Sequence, residues 1–101
     1  MGKQEEIDIF MKHYGLYIEP EYRFFDLVSE LGEVAKQVIV QTEYGDKDIE
    51  KTEYLEEEFG DLYFSLIALA NSLNIDLDIA LEKVKEKYKK RINGTGDPGS
   101  E

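Results

Sequence analysis

Four acids stand out by type and spacing: Glu30 with Glu33, and Glu58 with Asp61, each pair three residues apart. On a helix, residues at i and i+3 project from adjacent turns of one face, so each pair can converge on one cation. Oxygen ligands with no Cys or His beside them suit a hard ion, Mg²⁺ or Mn²⁺. In so acidic a chain such pairs also arise by chance, and their position relative to the apolar face separates them. With residues spaced at about 100° and Leu62 at zero, Glu58 falls near −40°, inside the stripe of Leu55, Leu62, Leu69 and Leu73. Asp61 falls near −100°, at its edge. With Leu31 at zero, Glu30 flanks its own stripe near −100° and Glu33 lies near −160°. A carboxylate inside a core stripe is costly unless it is neutralised, paired or metal-bound. Spacing alone leaves two readings open: a metal site, or acids paired with lysines of the last helix and doing no chemistry. A di-iron centre is disfavoured because such bundles use Glu-x-x-His pairs, whereas Phe10 stands three residues before His13. The stretch from Asp46 to Glu50 lacks the EF-hand loop pattern.

The elements that must position these acids read as four helices and a tail. Ile7, Phe10, Met11 and Tyr14 mark an amphipathic helix over about residues 4–14, ended by Gly15. Pro20 suits the first turn of a second helix reaching about Thr42, with the face Phe24, Leu27, Val28, Leu31, Val34, Ala35 and Val38. Tyr44-Gly45-Asp46 breaks the pattern, and loop or frayed helix follows to about Lys51. The third helix, about residues 52–73, carries Leu55, Phe59, Leu62, Leu66, Leu69 and Leu73, while Phe64 and Ile67 point away from that face. A helix apolar on every side must be covered on every side, which predicts burial in a homodimer or homotetramer. Asn74 is predicted as a left-handed stop and Asp76 as the N-cap of a fourth helix with the face Leu77, Leu81, Val84 and Tyr88. The fold class is all-α, with residues 1–92 as one domain and 93–101 as a disordered tail. Tyr14, Tyr17, Phe24 and Phe25 read as core, with stacking on a base as the alternative. His13 reads as a surface or interface residue. Gly32 and Gly60 carry a cost in helix propensity that close helix approach beside the metal would explain.

Composition narrows the function further. At 101 residues, 42% of them hydrophobic, the chain is one small domain with enough apolar residues for a core. A net charge of −11 excludes nucleic-acid or anionic-membrane binding through a general basic face. With no cysteine, disulfides, thiolate zinc sites and cysteine catalysis are excluded. The longest mostly apolar stretch, residues 62–70, is too short to span a bilayer, and the polar opening of the chain lacks a signal peptide, so a cytoplasmic protein is expected. The charge is uneven. Lys83, Lys85, Lys87, Lys89, Lys90 and Arg91 face one acid, Glu86, so residues 83–91 carry +5 and the remainder −16. Such cations also favour a helix C-terminus through its dipole.

Glu30-Leu31-Gly32-Glu33, 24 intervening residues, and Glu58-Phe59-Gly60-Asp61-Leu62-Tyr63-Phe64 together resemble the E-x-x-E…E-x-x-D signature of the MazG-like all-α nucleoside triphosphate pyrophosphohydrolases. The resemblance continues through the helix junction at residues 74–81, similar to the family's G-I-D-L-x-x-A-L, and through residues 87–92, similar to K-F-x-R-R-F. It implies a four-helix MazG-like fold, which the all-round apolar third helix is expected to assemble into a helical-bundle oligomer. It also implies Mg²⁺-dependent cleavage of a nucleoside triphosphate between the α- and β-phosphates, with Mn²⁺ as a substitute, yielding a monophosphate and pyrophosphate. Glu30, Glu33, Glu58 and Asp61 would be metal ligands, and Lys87, Lys90 and Arg91 would bind the phosphates. Ser29 stands where many members have a further Glu, which moves a catalytic base role onto Glu30 or Glu33. Lys85 stands where some members have Asn. A phosphoribosyl-ATP pyrophosphohydrolase, with the same chemistry on another substrate, and a non-catalytic acidic helical oligomer are the alternatives.

Overall fold

Local chemistry starts and stops each helix. The computed structural model describes residues 2–96 and contains α1 (Lys3–Tyr14), α2 (Pro20–Gln41), α3 (Glu53–Ser72) and α4 (Leu77–Thr95), with no strand among the described residues. Gly15 closes α1 at φ 63°, a left-handed conformation that costs glycine nothing. Pro20 opens α2 at a position whose N–H has no partner inside a helix. Thr42 ends α2 by turning its hydroxyl back onto the Val38 carbonyl (2.6 Å). Glu43, Tyr44 and Gly45 then all take positive φ, so the chain reverses there. The Thr52 side chain accepts from the Leu55 N–H and that of Asp76 from the Ile79 N–H, capping α3 and α4. Asn74, at φ 55°, is the left-handed stop between them.

Packing centres on the second half of α3. Val34, Leu55, Ile67, Ala68 and Ala70 are buried, with α2 on one side of α3 and α1 on another. Ile67 is thus buried within the chain and Phe64 half-buried. The Phe10 ring of α1 meets Phe64 edge-on at 6.1 Å. Tyr14, Tyr17, Phe24 and Phe25, expected as core, are all more than half exposed, because α1 and α2 each contact only α3 to any extent.

The stripe expected on α2 divides for the same reason. Val34 is buried and Leu27 and Val38 are half-buried, yet Phe24, Val28 and Leu31 are exposed. One neighbouring helix covers one strip, and α2 is rolled by about 60° from the expected face towards the side that carries Arg23 and Glu30. The buried Arg23 guanidinium donates to the Leu16 carbonyl and lies 3.7 Å from Asp26, tying the α1–α2 connection to α2.

The fourth helix departs from the bundle. α3 and α4 meet at 101°, and α4 buries no residue. Its start is nevertheless fixed. The Gln4 side chain donates to the Asn71 side chain (3.1 Å) and the Ile75 carbonyl (2.7 Å) and accepts from the Leu77 N–H (2.7 Å). Asn71 donates back to the Gln4 carbonyl (2.9 Å). α4 also runs three residues past the expected domain limit, through Asn93 and Gly94 to Thr95, before Gly96 caps it at φ 80°. The segment read as a tail therefore begins as helix, since Asn and Gly at the end of a long helix cost less than breaking its last turn. Residues 97–101 lie outside the described residues. Among the described residues, no single helix is long and apolar enough to cross a membrane.

Candidate metal centre

The roll of α2 that exposes Leu31 carries Glu30 against α3. There, one carboxylate oxygen each from Glu30, Glu58 and Asp61 lies within 4.8 Å of the others. Glu30 and Glu58 are half-buried between the helices, while Asp61 is exposed at the rim. Partial burial pushes the Glu30 carboxyl above the usual carboxylate range, and the charges of Asp61, Glu58, Glu33 and Asp26 push it further. Burial followed by Asp61, Glu33 and Glu57 raises Glu58 in the same way. Among the described residues, the charges that shift the two groups are those of acids. The donor set is hard oxygen throughout, open on one side, and held in mutual repulsion that a divalent cation relieves. It fits Mg²⁺ or Mn²⁺.

Glu33 stands apart from this trio. It is exposed, outside the converging three, and still close enough for its charge to act on both Glu30 and Glu58. Glu33 is also the acid of the four that the helical spacing sets farthest from its apolar face.

The basic residues are elsewhere. Lys87 and Lys90 line one face of α4 with Ile79, Lys83 and Glu86, and the Lys87 ammonium sits 5.6 Å from the ring of its neighbour Tyr88. With α4 at 101° to α3, rises of 1.5 Å per residue along the two helices put the backbones of Lys87 and Asp61 about 20 Å apart. Lysine and aspartate side chains do not bridge that gap. The alternative in which the acids pair with lysines of the last helix therefore does not hold within one chain. The expected close approach at Gly32 and Gly60 is also absent, because a Cβ at either position meets nothing within 4 Å.

Sequence reading missed the residues that aim the elements. Gln4 and Asn71 set the departure of α4, and Arg23 anchors the start of α2. No periodicity marks them. A basic residue on the packed side of a helix, at Arg23, was the one available signal.

The family profile of the MazG nucleotide pyrophosphohydrolase domain matches residues 20–95. YpjD of Bacillus subtilis (strain 168), an uncharacterised protein, is 38% identical over 92 residues, covering 87% of this chain and 81% of YpjD. The crystal structure of the same B. subtilis protein, described as a candidate pyrophosphatase, matches with a TM-score of 0.71 at 37% identity, covering 87% of this chain and 90% of that one. The nucleoside triphosphate pyrophosphohydrolase/pyrophosphatase MazG of Thermotoga maritima is 44% identical over 46 residues, spanning 46% of this chain and 18% of that protein.

Proposed function

The chain belongs to the MazG nucleotide pyrophosphohydrolase family, and on that premise we propose that it hydrolyses a nucleoside triphosphate between the α- and β-phosphates, giving a monophosphate and pyrophosphate. The observation that carries this reading is the convergence of Glu30, Glu58 and Asp61, from the two motifs that define the resemblance, within 4.8 Å on two packed helices. These three would hold a divalent cation, Mg²⁺ or Mn²⁺. A cation held there would supply positive charge to the phosphate oxygens and favour ionisation of the attacking water. Glu33, beside the trio but outside it, is free to accept the proton of the attacking water. The water oxygen forms the new bond to the α-phosphorus as the bond to the bridging oxygen breaks, and pyrophosphate leaves with that electron pair. The half-buried setting of Glu30 and Glu58 keeps the acids crowded until a cation arrives.

The test is pyrophosphate release from a panel of canonical and modified nucleoside triphosphates and phosphoribosyl-ATP, with Mg²⁺ and with EDTA. Equimolar pyrophosphate and monophosphate in Mg²⁺, abolished by EDTA, are expected. Release of single phosphate would place the cut at the wrong bond and overturn the reading, as would turnover that EDTA leaves intact.

A further inference from the structure

We propose that Arg23 and Asp26 form a charge pair that sets the cation affinity of the carboxylate site from farther along α2, Asp26 strengthening it and Arg23 holding it down. The inference deepens the cation reading and rests on it. Both are positioning residues, outside the converging trio.

The packed strip of α2 places the pair. At about 100° per residue, Arg23 and Glu30 fall within about 20° of each other, and Asp26 and Glu30 within about 40°. Residues four apart on a helix are neighbours, so Asp26 stands one turn from Glu30. Its charge is felt there: burial raises the Glu30 carboxyl first, then Asp61, Glu58 and Glu33, and Asp26 last. The Asp26 side chain is 52% exposed and stands at the edge of the site.

Arg23 is the cation of that strip, and it is only 9% exposed. Its Nη2 donates to the Leu16 carbonyl. Its Nη1 lies 3.7 Å from Asp26 Oδ2, near enough for attraction and too far for a hydrogen bond. Its Nε is buried without a partner. A buried guanidinium with an unused donor is costly, and anchoring one carbonyl requires no full charge. Negative charge on the same face accounts for a cation here: Asp26 on the next turn, and Glu30 about 10 Å along the helix. Burial weakens the solvent screening of Arg23, so its field opposes that of the acids at this range. The pair is neutral in sum, and each member alone shifts the potential of the trio in an opposite direction.

The test titrates Mn²⁺ alone into metal-free protein at low salt, read by the free-ion EPR signal, with circular dichroism confirming each fold. Asp61→Asn, expected to remove binding, fixes the titrated site as the trio. Asp26→Asn should weaken parental binding by about three- to tenfold, and Asp26→Lys by more. Glu21→Gln removes the same charge about 180° around α2 from Glu30 and should change binding by less than about twofold. Arg23→Gln should tighten binding by about three- to tenfold, and the double variant Arg23→Gln/Asp26→Asn should return to the parental value. Arg23→Met makes the same neutral change with a stem suited to burial, and replaces Arg23→Gln if that variant does not fold. A merely structural role cannot give opposite signs, because a loosened α2 weakens binding in both variants. Unchanged affinity in Asp26→Asn, an equal loss in Glu21→Gln, or weaker binding in a folded, neutral Arg23 variant would overturn the proposal. A parent that binds no Mn²⁺ would overturn the cation site itself and this inference with it, whereas a binding parent without these shifts overturns the inference alone.

Discussion

The α2–α3 pair and α4 carry charges of opposite sign, and they reach their positions by opposite means. On α2 and α3 the acids are dragged together by burial: Val34 and Leu55 pack, and Glu30 and Glu58 are carried half into the contact against their own repulsion. On α4 the cations are strung along a helix with almost no packing partner, aimed only at its base by Gln4 and Asn71. The first region spends packing energy on crowding like charges. The second pairs Lys85 with Glu82 and Lys89 with Glu86 along its own helix and holds Lys87 and Lys90 far from the trio. On the proposed reading a metal-bound triphosphate would engage both regions, and they lie far apart within one chain.

The largest expected break of this contrast is Asp61→Asn. It removes one charge from the converging trio, and turnover should fall by about 100- to 1,000-fold while circular dichroism and thermal unfolding hold. Undiminished turnover would show that the crowded acids are not the reaction centre.

Next in size is Gln4→Ala, which breaks the brace rather than the site. Three side-chain hydrogen bonds go with it, for a loss of about 1–2 kcal/mol in unfolding free energy and faster amide exchange at Leu77. Unchanged exchange at Leu77 would mean that α4 is aimed by something else.

Gly60→Ala should be smaller and stabilising, by about 0.5–1 kcal/mol, since an added Cβ meets nothing within the chain. A loss instead, greater at high protein concentration, would place a second copy against that turn of α3.

The smallest effect is expected from Glu58→Gln on metal-free protein. Glu58 has a raised pKa in the fold, so its charged form is disfavoured there relative to the unfolded chain. The stability contributed by Glu58 should therefore be fully present below the ordinary carboxylate range and be lost as the pH rises through the raised value. The Gln variant should be the more stable at neutral pH, with the advantage vanishing on acidification. Saturating Mg²⁺ should stabilise the parent and do little for the variant, as read by thermal denaturation.

Much of this was legible in the linear chain because the signals are local. Pro20, Thr52, Asn74 and Asp76 act on backbone groups within three or four residues, so the limits of the first three helices and the start of the fourth fell within one or two positions of the expected ones. Glu58 was recognisable as misplaced in an apolar stripe, and it is half-buried for that reason. The roll of α2 was not legible, because a stripe as wide as Phe24 to Val38 allows several faces and the number of partners selects among them. Nor was the placement of the cations. The spacing of Lys87 and Lys90 is compatible with an α4 folded back along α3 or projecting from it.

The sequence by itself determined four helices, their caps, the motif pair and the hardness of its donor set, since each depends on residue type and on neighbours one turn away. Only the tertiary structure decided that three of the four acids converge while Glu33 stands beside them. It alone decided that α4 leaves at 101°, and that the carboxylate trio stays apart from Lys87 and Lys90 within one chain. Those outcomes turn on a side-chain amide bridging residues more than 65 positions distant in sequence and on which strip of α2 a single neighbour covers. Neither quantity has a local signature in the chain.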